Sequence, residues 1–260
     1  MPFPYEKYQK ITEPLSIYYP KGQSSLAHSI IQSIDQASQS LMRLLSQPVP
    51  KMELILVAPA DWHATPHDDP EEPGNALPYW TTITESPSII IPTQLDPIVG
   101  RQTQEKLLFL VYSVLAQAFF ESDSRSWPED SPLWADEWQV QFAALWLMQH
   151  INGHHGIVMS DIHEQYAEIF EPELDGKTPV TIRGFDWYED TSEEDYLIFN
   201  LLLEQFAVDL LLKFGPEILP RFLEMYRNDY RVLLSDDVTN MLAGVLGPGG
   251  SEWLENLVYF

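Results

Sequence analysis

The chain has 260 residues, of which 45% are hydrophobic, which is enough to bury the core of one large or two small domains. It carries 39 acidic and 14 basic residues, for a formal net charge of −25. Such a surface repels phosphate backbones and anionic lipid, which argues against binding of nucleic acids or of membranes. The same charge leaves room for cations or basic partners, and an acidic surface that is simply solvated explains it as well.

The composition also limits the chemistry and the location. There is no cysteine, so disulfides, thiolate zinc sites and cysteine nucleophiles are excluded. The first 14 residues have no apolar stretch behind a basic start, and the sequence therefore predicts no signal peptide. No uncharged apolar run reaches the roughly 18 residues that a membrane helix needs. Together these features predict a cytoplasmic protein.

The N-terminal part is predicted to mix strands with helices. Apolar residues recur at helical spacing between Ser24 and Ser46, and β-branched and aliphatic runs are typical of strands. The predicted elements are a strand at 14–20, a helix at 24–46, strands at 52–60 and 88–94 separated by a loop at 61–80, and a long helix from Asp96-Pro97 to about Phe120.

The remainder of the chain is predicted to be helical. Ser131-Pro132 is typical of a helix start, and Gly215-Pro216 ends one helix and opens the next. The predicted helices cover Leu133 to His150, 159–171, Thr191 or Ser192 to Phe214, 217–229, 235–245 and 251–258. Strands followed by helices predict an α+β fold with a small N-terminal sheet. A boundary near 122–131 suggests an α+β part at 1–122 and a helical part at 123–260, unless the two form one continuous domain.

The order of these elements resembles that of the gluzincin zinc peptidases, the thermolysin-like and aminopeptidase-like enzymes. The resemblance covers about residues 50–145: two strands, a long apolar helix, a Trp-Pro linker and a helix that begins PLWADEWQVQFAALW. It implies a His-Glu-x-x-His motif on the first helix, where two His one turn apart can reach one zinc ion. It also implies a general base beside the first His and a third ligand, a Glu, on the second helix.

The residues at these positions depart from the family pattern. Ser113 takes the position of the first His, Val114 that of the general base, and Gln117 that of the second His. Glu137 stands where the resemblance places the third zinc ligand, but the Gly that usually follows it is Trp138. A hydroxyl and an amide are poor zinc ligands, and valine cannot accept a proton. The resemblance therefore implies a peptidase-like protein without catalysis, metal or cofactor.

Two groups of histidines are alternative candidates for a metal-dependent site. His63 and His67 precede the acidic residues Asp68, Asp69, Glu71 and Glu72, although Pro66 and Pro70 indicate an irregular loop. The second group consists of His150, His154, His155 and His163. A solvated loop is the favoured interpretation of the first group, and surface histidines with a helix-terminus role are the favoured interpretation of the second.

The segment 184–196, GFDWYEDTSEEDY, combines six acidic residues with aromatic rings. Three interpretations are open. The segment is a docking surface for a basic or aromatic partner, the rim of a cleft that Tyr196 faces, or a solvated loop and helix start. Ser113 is not expected to act as a nucleophile, because a serine in the middle of an apolar helix usually hydrogen-bonds to its own helix.

Three functions remain open from the sequence. The first is a non-catalytic protein that binds a peptide or protein segment in a vestigial cleft, with Ser113, Val114, Gln117, Glu137 and Tyr196 in that cleft. The second is a hydrolase or metal-dependent enzyme that uses one of the His and acid groups. The third is a scaffold or interaction protein of an unrelated α+β fold, in which residues 107–120 form only a core helix.

Overall fold

The computed structural model describes residues 3–67, 74–170, 180–186 and 191–260, which fall into two compact units. The first unit holds the described residues through Ser122 together with His150–Gly153, and the second holds those of Asp123–Gln149 and His154–Phe260. The strands all precede the long run of helices. The prediction of an α+β chain with a small N-terminal sheet is therefore confirmed.

The first unit is built on a mixed five-stranded sheet. Its strands are β1 (Tyr8–Ile11), β2 (Ser16–Pro20), β3 (Glu53–Val57), β4 (Tyr79–Thr81) and β5 (Ser88–Pro92). The spatial order is β1-β2-β3-β5-β4. Strands β2, β3 and β5 are parallel, whereas β1 and β4 pair antiparallel with β2 and β5. Consequently β1 and β4 form the two edges of the sheet.

Side chains on the two faces of the sheet meet different neighbours because consecutive residues of a strand point in opposite directions. On one face, Ile55, Val57 and Ile90 form a buried cluster with Phe3, against which several aromatic rings pack. On the other face, helices α1 (Ser24–Leu45) and α2 (Gln104–Glu121) cover the sheet and pack on each other. The sheet therefore has a helical face and an aromatic face.

Helix α2 begins later than the sequence predicts. Asp96-Pro97 starts only a 3-10 turn, Pro97–Val99, in which the Asp96 carboxylate accepts a hydrogen bond of 3.0 Å from the Ile98 N–H. Gly100 then adopts a φ of 70° and ends the turn. Thr103 caps α2 by accepting a 3.2 Å hydrogen bond from the Lys106 N–H. Two consecutive caps replace the single helix start that was expected.

The predicted loop at 61–80 is wrong at both of its ends. Residues Pro59–Ala64 form a 3-10 helix that places His63 on an ordered turn, with proline at its first position. Tyr79 and Trp80 belong to strand β4. Strand β1 was also not predicted. Both missed strands are short and only partly buried, so the alternation of apolar and polar residues that identifies a strand is weak in them.

The second unit consists of helices around an aromatic core. The helices are α3 (Leu133–Asn152), α4 (Ser160–Gln165), α5 (Glu193–Phe214), α6 (Ile218–Tyr226), α7 (Ser235–Leu246) and α8 (Gly250–Glu255). Trp138 of α3 is fully buried, and its ring centroid lies 4.9 Å from that of Phe222 and 6.3 Å from that of Phe206. Within the described ranges no helix combines the length and the apolar character needed to cross a membrane.

Candidate functional site

Helix α2 presents a polar row where the resemblance implies the two zinc-binding histidines. Ser113 is half-buried, and its hydroxyl donates a 3.0 Å hydrogen bond to the carbonyl of Phe109 in the same helix, as the sequence predicts. Gln117 lies one turn further along the same face and is exposed. Its Nε2 donates a 2.8 Å hydrogen bond to Oε1 of Glu121. The row thus ends in a carboxylate at the C-terminal end of the helix.

This row is joined to the edge strand β4. The indole Nε1 of Trp80 donates a 2.8 Å hydrogen bond to Oε2 of Glu121, whose other oxygen is held by Gln117. The next residue back along the strand, Tyr79, points to the aromatic face of the sheet and donates from its hydroxyl to the carbonyl of Pro66 at 2.7 Å. Glu121 and Trp80 were not singled out from the sequence, because nothing local marks two residues 41 positions apart as partners.

Val114, at the position of the general base, is part of the core. Its relative exposure is 7%, and the neighbouring Leu115 and Ala116 are fully buried. An apolar, buried side chain at this point can neither activate a water molecule nor coordinate a metal. Position 114 stabilises the packing of α2, and the exposed chemistry of the helix lies with Ser113, Gln117 and Glu121.

Glu137 and Tyr196 lie in the second unit, where they belong to a polar cluster between α3 and α5. On α3, Glu137 and Gln141 are one helical turn apart; on α5, Tyr196 and Asn200 are one turn apart. Nε2 of Gln141 donates a 3.2 Å hydrogen bond to Oδ1 of Asn200, and Nδ2 of Asn200 donates to the carbonyl of Tyr196 at 2.8 Å. Oε1 of Gln141 is buried and has no hydrogen-bond partner among the described residues. Gln141 and Asn200 were not predicted as site residues.

The electrostatics of this cluster favour a neutral Glu137. Burial raises the pKa of its carboxyl to about 7, and the negative charge of Asp136 adds to the increase. Burial likewise raises the pKa of the Tyr196 phenol to about 12, with the charge of Glu137 as the second cause. The acid of Glu137 is therefore protonated over part of the neutral range and can act as a hydrogen-bond donor there.

Among the residues that the structure describes, the histidines of the first group do not gather into a metal centre. His63 is exposed on its 3-10 turn, and His67 is half-buried. Asp61, on the same turn as His63, accepts a 3.0 Å hydrogen bond from the hydroxyl of Tyr8. The acidic residues Asp68, Asp69, Glu71 and Glu72 lie outside the described residues.

The second group of histidines is dispersed. His150 is exposed in the last turn of α3, and His154 contacts the carbonyl of Ile157 through Nε2 at 3.3 Å. His163 of α4 makes a 3.1 Å contact with Oε2 of Glu204, which is only 2% exposed. The other oxygen of Glu204 accepts from the N–H groups of Val158 and Met159 at 2.6 and 3.2 Å. In the parts of the chain that the structure describes, no three His, Asp or Glu residues converge so as to hold a metal ion.

Only part of the acidic and aromatic segment 184–196 is described. Residues 187–190 lie outside the described residues, and the interpretation of the segment as a docking surface stays a prediction. Phe185 stacks on Phe199 of α5 at a centroid distance of 4.2 Å, which anchors one side of the segment. Ser192 and Asp195 form a reciprocal capping box at the start of α5. At least these two polar residues therefore have a structural role.

Comparison with known proteins adds no family assignment. No protein-family model matches the chain, and no curated protein matches it.

Proposed function

We propose that the chain is a non-catalytic protein with a gluzincin-like peptidase fold, and that it binds an extended peptide or protein segment along the edge of its sheet. The observation that carries the proposal is the position of β4. This strand is one of the two antiparallel edges of the sheet, and its Trp80 is hydrogen-bonded to the same helix that carries Ser113 and Gln117 in place of zinc ligands.

An edge strand supplies the backbone chemistry for such binding. One side of β4 pairs with β5, from Thr81 opposite Ser88 to Tyr79 opposite Ile90. Among the described residues no strand pairs with its other side. Backbone N–H and C=O groups on the free side of a strand can pair with an added segment, and neighbouring side chains then select its sequence. Trp80, Gln117 and Glu121 are the side chains placed to do so.

The side chains on α2 support the proposal that the chain does not cleave peptides. Peptide hydrolysis of the gluzincin type needs a metal ligand pair and a base on this helix. The chain offers a hydroxyl bound to its own helix, a buried valine and an amide bound to Glu121. A peptide held beside α2 would thus be bound and not cleaved.

Selection of random peptides displayed on phage tests the binding proposal. A selected peptide is then titrated calorimetrically against the wild-type chain and against variants. Trp80→Ala and Gln117→Arg should each weaken binding about tenfold or more, the size of effect seen when a central contact of an interface is removed. Gln104→Arg makes the same exchange at an exposed position in the first turn of α2 and serves as the matched control.

The results separate the proposal from its rivals. Equal affinity of all three variants would show that the peptide binds elsewhere. Metal analysis by plasma mass spectrometry after dialysis against trace zinc provides the second check. One zinc ion per chain, together with hydrolysis of peptides, would overturn the proposal.

A double substitution tests the resemblance itself. Ser113→His together with Gln117→His places two imidazoles one turn apart on α2, a pair that binds zinc. The double variant should bind zinc at least about tenfold more tightly than the wild type, as expected when two imidazole ligands are gained. Equal zinc affinity of the two proteins would show that positions 113 and 117 do not form a ligand pair as the resemblance implies, without bearing on peptide binding to β4.

A further inference from the structure

The first unit contains a cavity on the aromatic face of its sheet. The cavity measures about 650 Å³ and opens to solvent. The residues that line it include the aromatic Tyr5 and Tyr18, the acidic Glu53 and Glu85, and the apolar Ile83. Tyr18 and Glu53 lie on neighbouring strands of the sheet, and Ile83 and Glu85 lie between β4 and β5. Helix α2 covers the opposite face, so the cavity is separate from the proposed peptide site.

We propose that this cavity binds a guanidinium or ammonium group carried on an apolar stem. Two carboxylates and two π faces in one concave surface attract a cation by charge and by the ring quadrupole. The apolar lining, to which Phe3 and Ile83 contribute, suits the stem. Such a group arises either in a small basic molecule or in an arginine or lysine side chain of a partner.

The aromatic wall has the geometry that a cation needs. The ring centroids of Tyr5 and Tyr18 lie 4.9 Å apart at an interplanar angle of 66°, so the two rings form a corner. Phe3 continues the wall, with its centroid 4.9 Å from that of Tyr5. A flat cation at such a corner can face one ring while its edge meets the other.

The chain itself shows that a cation is held beside this wall. Nζ of Lys10 lies 4.4 Å from the centroid of the Tyr18 ring and donates a 2.9 Å hydrogen bond to the Tyr18 hydroxyl. The same ammonium group donates to Oε1 of Glu53 at 3.1 Å. Lys10 itself does not line the cavity, so it neutralises part of the charge of Glu53 from outside.

The remaining negative charge of the cavity is not neutralised by Lys10. Glu85 is exposed, and among the described residues it forms no ion pair. Burial is the largest cause of the raised pKa of the Tyr5 phenol, and the charge of Tyr18 is the second. The charges of Glu53 and Glu85 add to the increase, so the field of both carboxylates reaches Tyr5. Nδ1 of His67, also in the lining, is buried and has no hydrogen-bond partner among the described residues. A ring nitrogen and a negative charge are thus left for a ligand.

Calorimetric titration with Nα-acetyl-arginine methylamide tests the assignment. Nα-acetyl-citrulline methylamide has nearly the same shape but no charge and is the matched control ligand. We expect a dissociation constant of about 1 mM for the arginine derivative, as for a small ligand held by one charge and one ring contact. The citrulline derivative should bind at least about fivefold more weakly. Equal binding of the two, or binding of neither, would overturn the assignment.

Variants of the chain assign the binding to this cavity. Glu85→Gln should weaken arginine binding about fivefold, whereas Glu105→Gln, at an exposed position of α2, should leave it unchanged. Lys10→Met should strengthen binding, because it frees Glu53 and the Tyr18 ring. This gain cannot result from damage to the fold. A loss on Lys10→Met, or the same affinity for Glu85→Gln and Glu105→Gln, contradicts the proposal.

Butylguanidine, which has the same charged group without a peptide backbone, distinguishes the two sources. Binding as tight as that of the arginine derivative identifies a small basic molecule as sufficient. Tighter binding of the arginine derivative indicates a side chain presented by a polypeptide. Either outcome supports the cavity as a cation site, and neither depends on the peptide site at β4.

Discussion

The protonation of Glu137 leads to a prediction about stability and pH. Burial raises its pKa from 4.5 to about 7, so the folded chain holds this proton where the unfolded chain has released it. At about 1.4 kcal/mol per pH unit, the difference corresponds to at most about 3 kcal/mol. Below pH 4.5 both states are protonated and the group has no effect. Between pH 4.5 and 7 stability falls as pH rises, and above pH 7 the full loss remains.

Glu137→Gln removes this titration while it keeps the shape and the hydrogen-bonding capacity of a neutral acid. The variant should have the stability of the wild type near pH 4.5 and exceed it by about 2–3 kcal/mol at pH 8. Urea unfolding followed by circular dichroism at several pH values measures the difference. Comparison at equal pH cancels most of the effect of the net charge of −25 on stability.

Glu129→Gln is the control, because Glu129 is exposed in the linker that precedes α3. It should change the free energy of unfolding by less than about 0.5 kcal/mol at every pH. The reasoning is refuted if Glu137→Gln differs from the wild type by the same amount at pH 4.5 and 8. It is equally refuted if the variant is the less stable protein at pH 8.

Two further predictions concern the buried charges of the second unit. Glu204→Ala should lower the free energy of unfolding by about 3 kcal/mol, because it leaves the N–H groups of Val158 and Met159 without their acceptor. Urea unfolding measures the change, and a loss below about 1 kcal/mol contradicts the prediction. Arg227→Met should cost about 3 kcal/mol, since the charge of the buried Arg227 stabilises the ionised form of the half-buried Asp136. Arg231→Met, at an exposed arginine, is its thermal-unfolding control and should have almost no effect.

The elements that the sequence predicts well are those with a strong internal pattern. Helix α1 was expected at 24–46 and is observed at Ser24–Leu45, because Ile30, Ile34 and Leu41 all fall on its buried face. Strands β3 and β5 were also predicted, since they are buried on both faces and consist of continuous aliphatic runs. In these cases local composition and the final environment agree.

Strand β4 has no such pattern, and its formation depends on the rest of the unit. It has three residues, of which only Thr81 is buried. Pairing with β5 and the hydrogen bond from Trp80 to Glu121 provide the stabilisation that its own sequence does not. The aromatic and β-branched run YWTT after Pro78 was the available signal for a strand. It was outweighed by the proline and acid content of the segment before it.

For the candidate site, too, local sequence pattern predicts some features, whereas others depend on the packed structure. That Ser113 and Gln117 share a helix face follows from their spacing alone, and the observed helix gives them that arrangement. The state of Glu137 does not follow from its sequence neighbours, because the largest contribution to its raised pKa is burial, which only the packed structure defines. Spacing therefore predicts which groups can meet, whereas burial decides which of them carry charge. In this chain, burial favours the neutral form of Glu137, the residue at the position where the resemblance implies a zinc ligand.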